Sequence, residues 1–194
     1  MPHQDRSSDR AVVALAGRRI DAPGTDPPRF PLEAVPGVRR RLAEMLVQES
    51  AVALVCSAAC GADLLALAEA ERLGLRRRVI LPFPPARFRE TSVIDRPGDW
   101  ATAFDRLVAD AQTTGDLVVI DGSAGGDDAA YAAANAAIVR EARRLAPEGV
   151  GGGACRLVAA IVWEGAARSG TDATEGFRAL AAEAGFEERF VVTR

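Results

Sequence analysis

Carboxylates and arginines supply most of the chemistry open to this chain. All 24 of its basic residues are arginine, and its one histidine is His3. That composition excludes a Schiff-base lysine, the lysine of a Walker phosphate loop, a Ser-His-Asp triad and a histidine-built metal site. Acid–base work is left to carboxylates, Tyr131 or cysteine, and no metal or resident cofactor is expected.

Four segments concentrate residue types that could meet a ligand. In VCSAACGADLL, which begins at Val55, Ser57 ends an apolar run, Gly61 permits close backbone approach or a positive φ, and Asp63 falls in the first turn of a helix. Free amides at that helix start, with the macrodipole, attract an anion. Equally, Ser57 or Asp63 can cap those amides. In PFPPARFRETSV, residues 82–93, Arg87 and Arg89 flank Phe88 in a proline-stiffened loop. Such a set suits phosphate pairing with base stacking, or plain solvation at the surface. Tyr131 and Asn135 are four apart and share one face of an alanine-rich helix, either lining a ligand space or forming a buried, locally satisfied pair. In WEGAARSGTDATEGF, residues 163–177, Glu164 leaves a strand and Gly170, Thr171 and Asp172 lead into a helix. Its amides and the Thr171 hydroxyl offer a second phosphate cradle, or Thr171 or Asp172 caps the helix with Glu175 completing a box.

The elements that must position these residues alternate along the chain. Continuous apolar runs at residues 11–16, 51–57, about 77–82, 116–121 and 155–163, and a short one at ERFVVT near the end, read as strands buried on both faces. Helical spacing follows at VRRRLAEMLVQES, after Asp63, at about 98–112, at about 127–145 and at TDATEGFRALAAEAG. Residues 18–37, rich in Pro, Gly and Asp, read as a long loop. Such alternation predicts a Rossmann-like α/β fold: a doubly wound, mostly parallel sheet of about six strands with helices on both faces. Ligands of such sheets sit beyond the strands' carboxyl ends, near the switch point.

A chain of 194 residues, 48% hydrophobic, suits one soluble domain over residues 11–194 after a flexible tail at 1–10. No apolar run reaches the roughly 20 residues of a membrane span, and AVVALAG is short for a signal segment, so a cytoplasmic protein is expected. Three cysteines, an odd number, read as free thiols. A net charge of -3 argues against wholesale nucleic-acid binding, and the alanine-rich helix face is compatible with a homodimer.

Four blocks in order, SAACGADLLALAEAERLGL, VILPFPPARFRETSV, YAAANAAIV and VWEGAARSGTDATEGFRALAAEAGF, carry a resemblance. Together they resemble the Rossmann-type SMF/DprA-LOG (SLOG) superfamily, and within it the small bacterial sensor-like branch. The resemblance implies a nucleotide or nucleotide-derived small-molecule ligand. It places Ser57, Gly61, Ala62 and Asp63 on one wall of the site and Gly170 and Thr171 on another, with Gly17 and Arg18 beside them. It also offers a second activity, N-glycosidic (phosphoribo)hydrolysis, with Glu164 or Asp172 as the acid. The Pro-Gly-Gly-x-Gly-Thr-x-x-Glu pattern of those hydrolases is replaced here by Ala166 to Glu175, without the Pro-Gly-Gly.

Overall fold

The computed structural model describes residues 10–120, 126–146, 155–167, 170 and 172–194. Its six strands are β1 (Ala11–Gly17), β2 (Ala51–Cys56), β3 (Arg76–Leu81), β4 (Leu117–Val119), β5 (Arg156–Trp163) and β6 (Glu187–Val192). They form one sheet in the order β4-β3-β2-β1-β5-β6, and every neighbouring pair is parallel. The helices are α1 (Val35–Gln48), α2 (Ala62–Arg72), α3 (Pro85–Ser92), α4 (Ala101–Thr113), α5 (Gly126–Leu145) and α6 (Ala173–Glu183), with a 3₁₀ turn at Leu32–Ala34. This is the doubly wound, Rossmann-like α/β fold expected of the sequence.

The strand order explains which helices cover which face. From β1 to β4 the chain steps one way across the sheet, and α1, α2 and α4 pack on one face through Leu42, Leu67 and Phe104. It then returns to the other side of β1, and α5 and α6 cover the opposite face through Ile138 and Phe177. Successive strand residues alternate between the two cores, Val13 and Leu15 to the first, Val12 and Ala14 to the second. The winding reverses between β1 and β5, so the crevice of such a fold opens at the carboxyl ends of those two strands.

Two differences from the sequence reading concern local signals. The proline-rich segment carrying Arg87 and Arg89 is a helix, α3, not a loop. Its Pro85 occupies the first turn, where the missing N–H costs nothing and the fixed φ suits helical geometry. Helix α4 begins at Ala101, two residues after Asp99, and no side chain caps it. No helix among the described residues is long and apolar enough to cross a membrane.

Gly17, the last residue of β1, sets how closely α2 and β5 approach. A Cβ there would lie 2.5 Å from the Ala62 Cβ and 2.6 Å from the Val162 Cβ. Gly17→Ala is expected to lower the unfolding free energy by about 1–3 kcal/mol in urea titration, the cost of overpacking a fixed contact. Gly176→Ala, on α6 with open space around it, should leave stability unchanged or raise it by up to about 1 kcal/mol. Equal effects at the two positions would refute the close approach.

Candidate functional site

At the switch point stands Arg18, only 3% exposed. Its Nε donates to Glu164 Oε2 at 2.7 Å, one terminal nitrogen donates to Asp172 Oδ1 at 2.6 Å, and the other donates to the Ala166 carbonyl at 2.8 Å. The guanidinium also lies 5.9 Å from the centre of the Trp163 ring. One planar fork thus ties the end of β1 to the end of β5 and to the start of α6, a geometry a single ammonium could not span. Burial disfavours the charged form of Arg18, yet the hydrogen bonds to Asp172 and Glu164 outweigh it and raise its pKa. Burial would likewise raise Glu164, but Arg18 and Arg29 hold its carboxyl below the ordinary range.

At both helix starts the chain itself takes up amides of the first turn. Gly61 has φ +94°, and a Cβ on it would sit 2.9 Å from the Arg18 carbonyl oxygen and the Ile20 nitrogen. The Ala62 N–H donates to that carbonyl, and the Asp63 carboxyl turns back to accept the Ala59 N–H. At α6 the Asp172 carboxylate is the N-cap, accepting from the N–H groups of Thr174 and Glu175. At α6 the capping reading holds, with Asp172 as the cap, whereas neither Ser57 nor Asp63 caps α2, whose first amide is taken by the Arg18 carbonyl instead. Gly170 is exposed with φ +82°, and Thr171 lies outside the described residues.

A cleft in two adjoining parts opens beside Arg18. The larger part, about 570 Å³, is bounded by Gly17, Ser57, Asp63, Phe88, Tyr131, Asn135 and Leu180. The smaller, about 390 Å³, is bounded by Arg18, Arg19, Arg29, Arg96, Asp21 and Thr25. Gly17, Arg19 and residues 172–174 belong to both. The larger volume lies in the range of ordinary small-molecule sites. Its lining is mostly small or apolar, with a few polar groups placed among it.

Those polar groups differ in what they leave open. The Ser57 Oγ is buried with no hydrogen-bond partner among the described residues. The Tyr131 hydroxyl lies 2.8 Å from Ser92 Oγ, and the Asn135 amide donates to the Ala173 carbonyl at 2.7 Å, so the Asn135 carbonyl oxygen and its second N–H are left for other partners. Asp63 is 6% exposed, and burial pushes its pKa up to about 7, only partly offset by the Ala59 N–H and the Arg19 charge. Near neutral pH this carboxyl can therefore donate or accept.

The smaller part is built from ion pairs. Arg19 grips the Asp95 carboxylate at 2.8 and 2.9 Å, and Arg29 reaches Glu164 at 2.9 Å. Arg96 Nε is buried without a hydrogen bond, 3.3 Å from Asp95. Attraction of an anion here must come from directed N–H groups rather than from net field, because Asp21, Asp95, Glu164 and Asp172 match the four arginines in charge.

Of the residues singled out from sequence, Gly17, Ser57, Asp63, Tyr131, Asn135 and Asp172 come together on the larger part, and Arg18 on the smaller. Gly61 and Ala62 support the wall from behind. Glu164 and Asp172 face Arg18. Arg87 and Arg89 bound neither part: Arg87 lies 3.8 Å over the Phe83 ring and pairs with Asp127, and Arg89 pairs with Asp105. Sequence reading passed over Arg19, Arg29, Arg96 and Ser92. Arg19 adjoins Arg18, but nothing local marks Arg96, which reaches the site from the segment after α3.

Neither a scan against protein-family models nor a search of curated proteins returns a match for this chain. Physical tests of the site are therefore the direct ones. Arg18→Met strands two buried carboxylates and should cost about 3–5 kcal/mol in urea unfolding. Adding Glu164→Gln and Asp172→Asn should recover part of that loss; a triple variant no more stable than Arg18→Met would contradict the ion-pair account. Asp63 predicts a pH effect of definite sign. Between about pH 4 and 7 the native carboxyl keeps a proton that the unfolded chain has released, so stability falls as pH rises through that window. The drop from this group is on the order of 4 kcal/mol, and Asp63→Asn should abolish it. Parallel stability curves for the two proteins would exclude it.

Proposed function

We propose that this chain binds a phosphorylated, nucleotide-type small molecule as a sensor or ligand-binding module. The base and sugar occupy the larger part of the cleft, among Phe88, Tyr131, Ser57 and Asn135. The phosphate sits in the smaller part, against Arg19, Arg29 and Arg96. The observation that carries this reading is the junction of two unlike compartments: a mostly small and apolar one whose lining includes the unpartnered Ser57 hydroxyl, and one lined by arginines. Buried polar atoms are ordinarily paired, so a hydroxyl without a partner at the lining of this cleft favours a polar guest. The resemblance to the SLOG superfamily supports the same ligand class. A cytoplasmic location belongs to this reading and agrees with three buried free cysteines, Cys56, Cys60 and Cys155.

The hydrolase alternative is the weaker reading. Its acid would be Glu164 or Asp172, and both already meet a buried guanidinium. The Glu164 carboxyl, held below the ordinary range by Arg18, is a poor proton donor near neutral pH, and the Asp172 carboxylate is already engaged by Arg18 and by two amides of α6.

Melting temperature measured against adenine and guanine mono-, di- and triphosphates should rise with at least one of them and keep rising with concentration, as linkage requires. Arg96→Gln and Ser57→Val should each weaken that ligand about tenfold or more while the unliganded proteins melt near the wild-type temperature. Prolonged incubation should release no free base. Absence of any shift across the panel defeats the proposal, and liberation of base restores the hydrolase.

A further inference from the structure

The sheet ends in two unlike edges. Strand β4 is three residues long, whereas β6 runs six and carries no further strand on its outer side among the described residues. Long edges are usually blunted by lysine, proline or a bulge. The stretch EERFVV has no lysine, proline or bulge, and its charges, Glu187, Glu188 and Arg189, fall in its first half, where they pair with Arg156, Arg178 and Glu49, so that Phe190–Val192 carries no charge. On the α6 side of the sheet Phe190 and Val192 stay 53% and 43% exposed, and Phe190 stacks on Trp163 with ring centres 6.2 Å apart.

The direction of the free backbone groups follows from one bond. The Thr193 N–H donates to the Trp163 carbonyl, so Thr193 and Val191 turn their polar groups toward β5. Phe190 and Val192 turn theirs outward. The Val192 carbonyl there accepts from the Arg41 guanidinium at 2.7 Å, which leaves its second lone pair open.

We propose that β6 is the edge on which two copies of this chain join, antiparallel about a two-fold axis through Val191, so that one sheet continues across the pair. The sequence is self-complementary in that register. Phe190 meets Val192 of the second copy, Val192 meets its Phe190, and Glu188 meets its Arg194. The apolar residues left uncovered in one copy cover each other, and opposite charges flank them on the same face. Centring the axis on Phe190 sets Glu188 against Val192, and centring it on Arg189 sets Phe190 against Glu188. Only the Val191 register pairs like with like and acid with base. The outward backbone groups of Phe190 and Val192 then form hydrogen-bonded pairs, and Val191 faces itself across a non-hydrogen-bonded position.

Sedimentation equilibrium should give twice the mass of one chain at micromolar concentration. Phe190→Lys should weaken association at least tenfold with the circular dichroism spectrum unchanged, whereas Val119→Lys on β4 should leave it intact. Glu188→Arg should weaken it, and addition of Arg194→Glu should restore it. Val191→Cys tests the register, since facing residues at such a position approach to about 4.5 Å between Cα atoms, within disulfide range. Mild oxidation should convert that variant to a covalent dimer. A single-chain mass throughout, a dimer indifferent to Phe190→Lys, or a Val191→Cys protein that does not cross-link would each overturn the proposal.

Discussion

The buried guanidinium of Arg18 is the constraint on which the cleft depends. Its charge sits where the winding of the sheet reverses, and in that dry position it persists only because Glu164, Asp172 and the Ala166 carbonyl surround it. Ion pairs of this kind add little net stability compared with apolar packing, but breaking one side is costly. What this one provides is registration. The end of β5, the start of α6 and the end of β1 are held to one residue, and the backbone of that residue also receives the first amide of α2.

That arrangement changes how an anion can be held. In open α/β sheets the usual device is a set of unpaired amides at helix starts. Here the Arg18 carbonyl receives the Ala62 amide of α2, and the Asp172 carboxylate occupies two amides of α6. The donors that face the cleft come instead from side chains, arginine on one side and serine, tyrosine, asparagine and a protonatable aspartate on the other. Because each arginine is already oriented by a carboxylate, the arginine-lined part of the site is neutral in sum and directional in detail.

Much of this was legible from residues alone. Strands buried on both faces show as unbroken apolar runs, and AVVALA, AVALVC and RLVAAIVW are plain examples. Their alternation with helical periodicity gave the fold class and the rim on which to search. Ser57, Asp63, Tyr131 and Asn135 were found because they stand at or near the carboxyl end of a strand or on a helix that faces it. Three things were hidden. Pro84 and Pro85 read as loop chemistry, although a proline in the first turn favours a helix. Arg87 and Arg89 drew attention through spacing, yet their partners, Asp127 and Asp105, lie on neighbouring helices that no local pattern connects to them. Arg96 was invisible for the converse reason, since its value comes from a distant loop folding beneath it.

The tight junction of Gly17, Ala62 and Val162 has a further consequence. With no free volume at that point and Arg18 fastening the surrounding segments, this side of the opening cannot adjust to a visitor by sliding one piece past another. Its dimensions act as a fixed gauge. Little ordering remains to be done when a guest of the right outline enters, and one of the wrong outline finds no give on that side.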